Sequence, residues 1–242
     1  MSKARKILIY SAVATVFVIS LIVNTPAWVM GSMLGHYSGN RVSTINEQGS
    51  FWNGMALLQA NDKVGKKVVP IIMIGWQIKF GFKKIVTVNL TASNQTIAAV
   101  SLTKNGIAVN NVNLALSLDQ LTPFMGNLNT LNLSGSVRLS ADNLLIGKKM
   151  QGSVNLTLNN VGSGISPINP IGSYQVSVDL ASQALDVSTT DANSVISVTG
   201  SGSTNSLTLN SKVQPDKKEQ LLQFMTMMGI PQADGSYQLK AI

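Results

Sequence analysis

Cysteine is missing from this chain altogether, and histidine occurs once, as His36. Without thiols neither a disulfide nor a thiolate metal site can staple the fold, so burial alone must hold it together. His36 has no G-x-S-x-G elbow near it and belongs to no H-E-x-x-H pattern, which leaves it as a surface or interface residue rather than a base. Aromatic residues make up only 5% of the chain and Asp, Glu, Lys and Arg together 12%. A nucleic-acid reader needs stacking aromatics, a basic helix or an RNP-like motif, and none is visible. The carboxylates are equally sparse: Glu47, Asp62, Asp119, Asp142, Asp179, Asp186, Asp191, Asp216, Glu219 and Asp234 are nowhere spaced as metal ligands. A calcium loop would need several within about a dozen residues. Only a pair brought together by folding is left to act as acid and base. No cofactor, no metal and no nucleic-acid partner is expected, and an enzyme is the weak reading.

What the chain does have is one long apolar run, Ile7–Val23, free of charge and entered through Lys3, Arg5 and Lys6. At about 1.5 Å per residue, this run together with a few flanking residues just spans a bilayer core of about 30 Å. A cleaved signal peptide competes with a retained anchor, but its apolar run is about 7–15 residues long and ends at a small-residue site. Thr25-Pro26-Ala27 imitates that site only loosely. The anchor is therefore the expectation. Because the basic cluster precedes the run, the positive-inside rule makes residues 1–6 a cytoplasmic stub and sends everything after Val23 to the far side. Residues 24–41 read as a membrane-proximal linker, with Trp28 suited to the membrane–water interface. Residues 42–242 read as one β-rich domain, a size at which β architectures often stand alone.

The net charge is +8, from 18 Lys and Arg against 10 Asp and Glu. Three of the positive charges are the topology cluster, and the rest are scattered, among them the doublets Lys66-Lys67, Lys83-Lys84, Lys148-Lys149 and Lys217-Lys218. Such doublets suit phosphate groups, but equally the solvated turns and edge strands where lysine discourages edge pairing.

From about Val42 the chain is rich in Asn, Ser, Thr and Gly, with apolar residues at alternate positions. That is the period of a half-buried strand. It is clearest at residues 97–102, 112–118, 131–139, 154–158, 174–180, 185–188, 195–198 and 207–213. In Leu131–Leu139 one face reads Leu131, Leu133, Gly135, Val137, Leu139 and the other Asn132, Ser134, Ser136, Arg138. One apolar and one wet face is usual in antiparallel sheets. The short connections, at Lys104-Asn105-Gly106, Ile146–Lys149 and Ser201–Asn205, favour hairpins over parallel crossovers. The fold class expected is all-β: one large curved antiparallel sheet of about ten or more strands, long enough to curl over, with one N-terminal transmembrane helix and one or two short helices.

Of those short helices, Leu118 to about Leu128 has helical spacing weakened by Pro123 and Gly126. The better one opens at Pro215-Asp216, carries a stripe of Leu221, Leu222, Met225 and Met228, and stops at Gly229 and Pro231. The stripe reads as packed against the sheet. Ser101-Leu-Thr-Lys104 matches S-x-x-K but lies in an alternating run that ends at an Asn-Gly turn, with neither S-D-N nor K-T-G following. The N-x-S/T triplets at Asn89, Asn94, Asn132 and Asn155 are what a chain so rich in these residues produces by chance.

Three local patterns then follow in order. The first is Gly49-Ser50-Phe51-Trp52-Asn53-Gly54, with Trp76-Gln77-Ile78 further on. The second is Pro170-Ile171-Gly172-Ser173-Tyr174, leading to Gly200-Ser201-Gly202. The third runs from Pro215 through Gly229 to Asp234-Gly235. Together they resemble protein N of the bacterial type II (general) secretion pathway, whose members carry G-[ST]-x-W-x-G, P-[LI]-G-x-Y and a closing leucine-rich stretch ending in Asp-Gly. The resemblance covers about residues 7–242. The sequence departs from the family where Trp76-Gln77-Ile78 runs into Lys79 rather than a proline, and where Asn193-Ser194-Val195 stands in place of Gly-Pro-Leu.

The resemblance implies an inner-membrane, single-pass accessory component with its main domain in the periplasm, aiding export of folded proteins across the outer membrane. It implies other secretion components as partners and offers no catalytic residues to carry over. Trp52 and Tyr174 read either as buried anchors of tight turns or as partner-facing groups. The alternative function is a periplasmic lipid or lipopolysaccharide carrier, which needs an open apolar groove where a scaffold would fill that face.

Overall fold

The computed structural model describes residues 3–61, 68–81, 85–121, 130–203 and 206–239, with the side chains of the first helix from Tyr10 onward. Helices α1 (Lys3–Val23) and α2 (Trp28–Tyr37) lead into β1 (Val42–Gly49), β2 (Asn53–Asn61), β3 (Val68–Phe80), β4 (Val86–Ala92), β5 (Gln95–Thr103), β6 (Gly106–Asn110) and β7 (Val112–Ser117). After the short helix α3 (Leu118–Leu121) come β8 (Leu133–Gly147), β9 (Gln151–Ser163), β10 (Gly172–Asp179), β11 (Ala184–Thr189), β12 (Ile196–Ser203) and β13 (Ser206–Val213). A 3₁₀ turn at Pro215–Lys217 opens α4 (Lys218–Met228), and β14 (Gly229–Pro231) and β15 (Tyr237–Leu239) finish the described chain.

All fifteen strands belong to one antiparallel sheet, which bears out the all-β expectation. Neighbours in sequence are nearly always neighbours in space, as short turns dictate. The exceptions are β15, which lies between β13 and β14, and the pair β6 and β7, which both lie along β8. Among the described residues, which for α1 leave out the side chains before Tyr10, no helix is long and apolar enough to cross a membrane.

The sheet bends where asparagine interrupts strands. Among the described residues, seven of the nine non-glycine residues with positive φ are asparagines, the residue type whose short polar side chain tolerates that region. Asn111 and Asn143, with φ near +55° and +54°, stand at the break between β6 and β7 and at the bulge of β8. Gly152 of β9, φ +102°, lies against Asn143. Three adjacent strands are thus kinked along one line, and a bulge of this kind sharpens the local twist. The same interruption flips the alternation, so that Val137 and Ala141 share a face with Leu144 and Ile146.

One face is covered in patches. On the C-terminal strands, α4 presses Leu221, Phe224 and Met225 onto Val137, Val161, Tyr174, Ile196 and Tyr237. The helix period places residues 221, 224, 225 and 228 on one stripe. The expected packing against the sheet is thus correct, but the stripe itself needs correction: Leu222 points outward, 52% exposed, and Phe224 takes its place. On the N-terminal strands a smaller cluster joins Ala27, Ala56 and Trp76 beside Met30 of α2. Helix α2, rich in small residues and unannounced by any clear pattern, occupies the segment expected as a linker. The helix expected over residues 118–128 is seen as α3, and residues 122–129 lie outside the described residues, as do Lys66-Lys67 and Lys83-Lys84. Strand β8 starts at Leu133 rather than Leu131.

Candidate functional site

The first motif folds into a joint between α1 and the sheet. At the end of α1 the last carbonyls lack helical partners, and nearby groups satisfy them. Thr25 Oγ1 donates to the carbonyls of Leu21 and Ile22 at 3.1 and 2.9 Å. The Trp52 indole N–H donates to the Ile22 carbonyl at 2.8 Å, reaching back 30 residues from the β1–β2 turn. Phe51 N donates to Thr25 O at 2.8 Å, and Pro26 bridges to Ser50. Gly49 opens the turn with φ +87°.

Beneath the turn lies Trp76 of β3, 4% exposed, with its indole N–H donating to the Phe51 carbonyl at 2.9 Å. Gly54 pairs with both Gly49 and Trp76. A Cβ on Gly54 would stand 2.6 Å from Trp76 Cζ2, so only glycine lets the ring lie flat under the turn. Trp52 in turn meets Phe51 edge-on at 5.0 Å and Phe80 at 5.6 Å. Gly49, Trp52, Gly54 and Trp76, separate in sequence, are therefore one unit at the end of the sheet from which α1 leaves.

The second and third motifs fasten other corners. The Asn169–Pro170 peptide is cis, and the turn it makes sets Gly172 and Tyr174 at the start of β10. Tyr174, 8% exposed, donates its hydroxyl to the Ile196 carbonyl at 2.9 Å, tying β10 to the start of β12 across β11. Burial pushes its acidity far down, raising the pKa well above the usual tyrosine value, so it stays a donor. Ser194 Oγ accepts from Ser173 N at 3.1 Å beside it. Gly229 begins β14. Asp234 and Gly235 form the β14–β15 turn, where the Asp234 carboxylate accepts from Ser236 N and Oγ. Those hydrogen bonds, with Lys212 at 3.9 Å, hold its carboxyl below the usual range. Gly200 and Gly202 sit apart on β12, opposite Leu209 and Leu207 of β13. Lys3, Arg5 and Lys6 begin α1, and their side chains are outside the described set.

Among the described residues, the candidates for chemistry stand apart. Ser101 is fully buried in strand β5 against the Thr87 hydroxyl at 3.2 Å, while Lys104 stands exposed at the next turn, so the S-x-x-K match has no helical geometry. His36 is exposed on α2 against Tyr37. Among the described residues no three His, Cys, Asp or Glu side chains gather as metal ligands.

Sequence reasoning missed an exposed apolar row. Phe80, Val86, Leu102, Ile107 and Ile146 are direct cross-strand partners through β3, β4, β5, β6 and β8. All but Val86 are exposed. Alternation marked β5 and the first part of β8 but not β3, β4 or β6, and only the register aligns these five into one row.

The fold and its corners define a class: one bent antiparallel sheet, braced by helices on one face, whose motif residues are spent on joints. A family model for protein N of the type II secretion system (T2SS) matches residues 40–240, and the chain belongs to that family. Membership makes it a type II secretion component whose partners are other components of that machinery. Comparison with curated proteins and with solved structures finds no match.

Proposed function

We propose that this chain is a non-catalytic accessory of the type II secretion apparatus, anchored in the inner membrane by α1 and holding its sheet in the periplasm as a binding surface. The observation that carries the anchor is the exposure of α1 all round. From Tyr10 onward every residue of α1 is exposed, and Val13, Val16, Phe17, Ile19, Leu21 and Val23 are each more than half so. A helix apolar on every side is at rest only inside a core or a bilayer. The helix has 21 residues, and at about 1.5 Å each they reach about 30 Å, the thickness of a bilayer core.

The joint supports the same reading, because Trp52 and Thr25 leave no slack between span and sheet. The test combines deletion with crosslinking. Loss of the chain should impair export of type II substrates, and reactive groups on the sheet should capture other secretion components. Normal export together with an outer-membrane lipid defect would sink the proposal.

The exposed row from Phe80 to Ile146 favours the second reading, a lipid carrier, since four strand steps of about 4.8 Å give an apolar strip of about 19 Å. Mass spectrometry decides between them: stoichiometric phospholipid or lipopolysaccharide in the detergent-free domain supports the carrier, and lipid-free protein counts against it.

A further inference from the structure

The sheet has two ends, and α1 leaves from only one. That end carries the β1–β2 turn with Trp52, the end of β3 at Phe80, the β5–β6 turn at Lys104-Asn105 and the β8–β9 turn at Lys148-Lys149. The Trp52–Ile22 hydrogen bond fixes the end of α1 to this rim, and Phe80 continues the contact from Trp52. From β3 to β9 the rim extends five strand steps of about 4.8 Å, or about 24 Å sideways from the joint.

Along it two properties coincide. On one face stand the exposed apolar side chains of Phe80, Leu102, Ile107 and Ile146, with Met150 exposed at the turn. On the other, Lys104, Lys148 and Lys149 line a hollow of about 510 Å³ together with Asn105, Leu145 and Gln151. All three lysines are exposed, and among the described residues none of them is in an ion pair. Two carboxylates lie opposite Ser153 of β9, those of Asp142 on β8 and Asp179 at the end of β10, and that of Asp179 accepts from Ser182 N and Oγ. At the opposite end of these strands the β4–β5 turn is Ser93-Asn94, while the β2–β3 connection, with Lys63, Lys66 and Lys67, lies outside the described residues.

We propose that this rim is a second membrane contact: Lys104, Lys148 and Lys149 bind the phosphates of anionic lipids in the bilayer that holds α1, with the apolar rim residues resting at the interface. The inference builds on the anchor reading of α1. The chemistry favours a lipid surface over a protein because unpaired lysines adjoin exposed apolar groups at the one end the anchor brings to the membrane. Basic residues respond to an anionic surface only within about a Debye length, about 8–10 Å, so the contact requires the rim to lie that close to the bilayer.

The absence of cysteine makes the test clean. In the full-length protein, single fluorophores are placed through Asn105→Cys at the rim, Gln95→Cys at the opposite end and Phe17→Cys in α1. Each protein is put into nanodiscs of phosphatidylcholine alone or with phosphatidylglycerol in equal parts, some lipids carrying a headgroup or mid-chain quencher. Headgroup quenchers should dim the Asn105 reporter in the anionic discs, and leave the Gln95 reporter, more than about 25 Å away along β5, unchanged. High salt, or the combined Lys104→Gln, Lys148→Gln and Lys149→Gln substitutions, should remove about half or more of that quenching.

If the Phe17 reporter is quenched at mid-chain but the Asn105 reporter is no dimmer than the Gln95 one, the rim contact is wrong and the anchor stands. If Phe17 escapes quenching, the anchor fails and the rim contact with it. Equal Asn105 quenching in both lipid mixtures, insensitive to salt, overturns the role given to the lysines. The salt comparison needs no substitution, so a variant that folds poorly does not blunt the test.

Discussion

The N-terminal strands under α2 and the C-terminal strands under α4 are built on different plans. Under α4 the buried residues are large: Leu221, Phe224 and Met225 meet Val137, Ile196 and two tyrosines. Under α2 they are mostly small: Ala27 and Ala56, with Trp76 as the one large ring. The backbones come close there, and a Cβ on Gly31 of α2 would collide with the Thr44 side chain of β1. Large side chains bury area and supply stability. Small ones let elements approach, and what the N-terminal region gains is position, a stiff link between α1 and the sheet. The consequence is that the N-terminal region leans on one residue where the C-terminal region shares the burden.

The largest expected effect follows from that contrast. Trp76→Ala should cost about 3–5 kcal/mol, and hydrogen exchange should show protection lost in β1–β4 while β9–β13 keep theirs. Equal loss in both regions would show one cooperative unit and break the comparison. Leu221→Ala comes next, at about 2–5 kcal/mol for a fully buried leucine, read as a shifted denaturation midpoint. Its exchange pattern should be the mirror image, with α4 and the C-terminal strands loosened first.

Tyr174→Phe is a smaller step. It leaves the ring in place but strips the Ile196 carbonyl of its donor, at about 1–3 kcal/mol for a buried group left unsatisfied. Thermal unfolding should register it, and the N-terminal strands should be unaffected. The smallest effect is acid-dependent. Asp179 and Asp234 both titrate below their usual range because serine N–H and O–H groups bond the ionised form. Stability from such groups is present above the unfolded pKa and is lost as pH falls through the folded one. Both lie in the C-terminal half, so Asp234→Asn should flatten the acid limb of its melting curve, and a matching change in the N-terminal strands would contradict the division.

Much of this was legible in the sequence. Period-two alternation marked β5, β7 to β13 and the apolar face of each, because each residue's facing depends on its immediate neighbours. Proline, glycine and the apolar spacing marked α4. The stripe was misplaced at Leu222 because Leu221 and Leu222 are adjacent and equally apolar, and only the sheet below distinguishes them. Helix α2 escaped notice because its glycines and serine weaken any helical pattern; its neighbours on β1 and β2 hold it. The asparagines passed as filler or chance triplets, although Asn94 and Asn132 take positive φ and Asn111 and Asn143 bend the sheet. Composition counts such residues without saying which one turns the backbone.

The sequence by itself determined the class of fold, the order of the motifs that place the chain in its family, and the charge-free run at its start. Tertiary structure decided what those features are for. Trp52 meets Ile22 across 30 residues, Trp76 lies beneath Gly54, and five apolar side chains from Phe80 to Ile146 fall into one row beside three lysines. Those meetings depend on strand register and on where the sheet bends. Both are set by the summed packing of the whole sheet, whereas the alternation that betrays a strand is a local property of the few residues that form it.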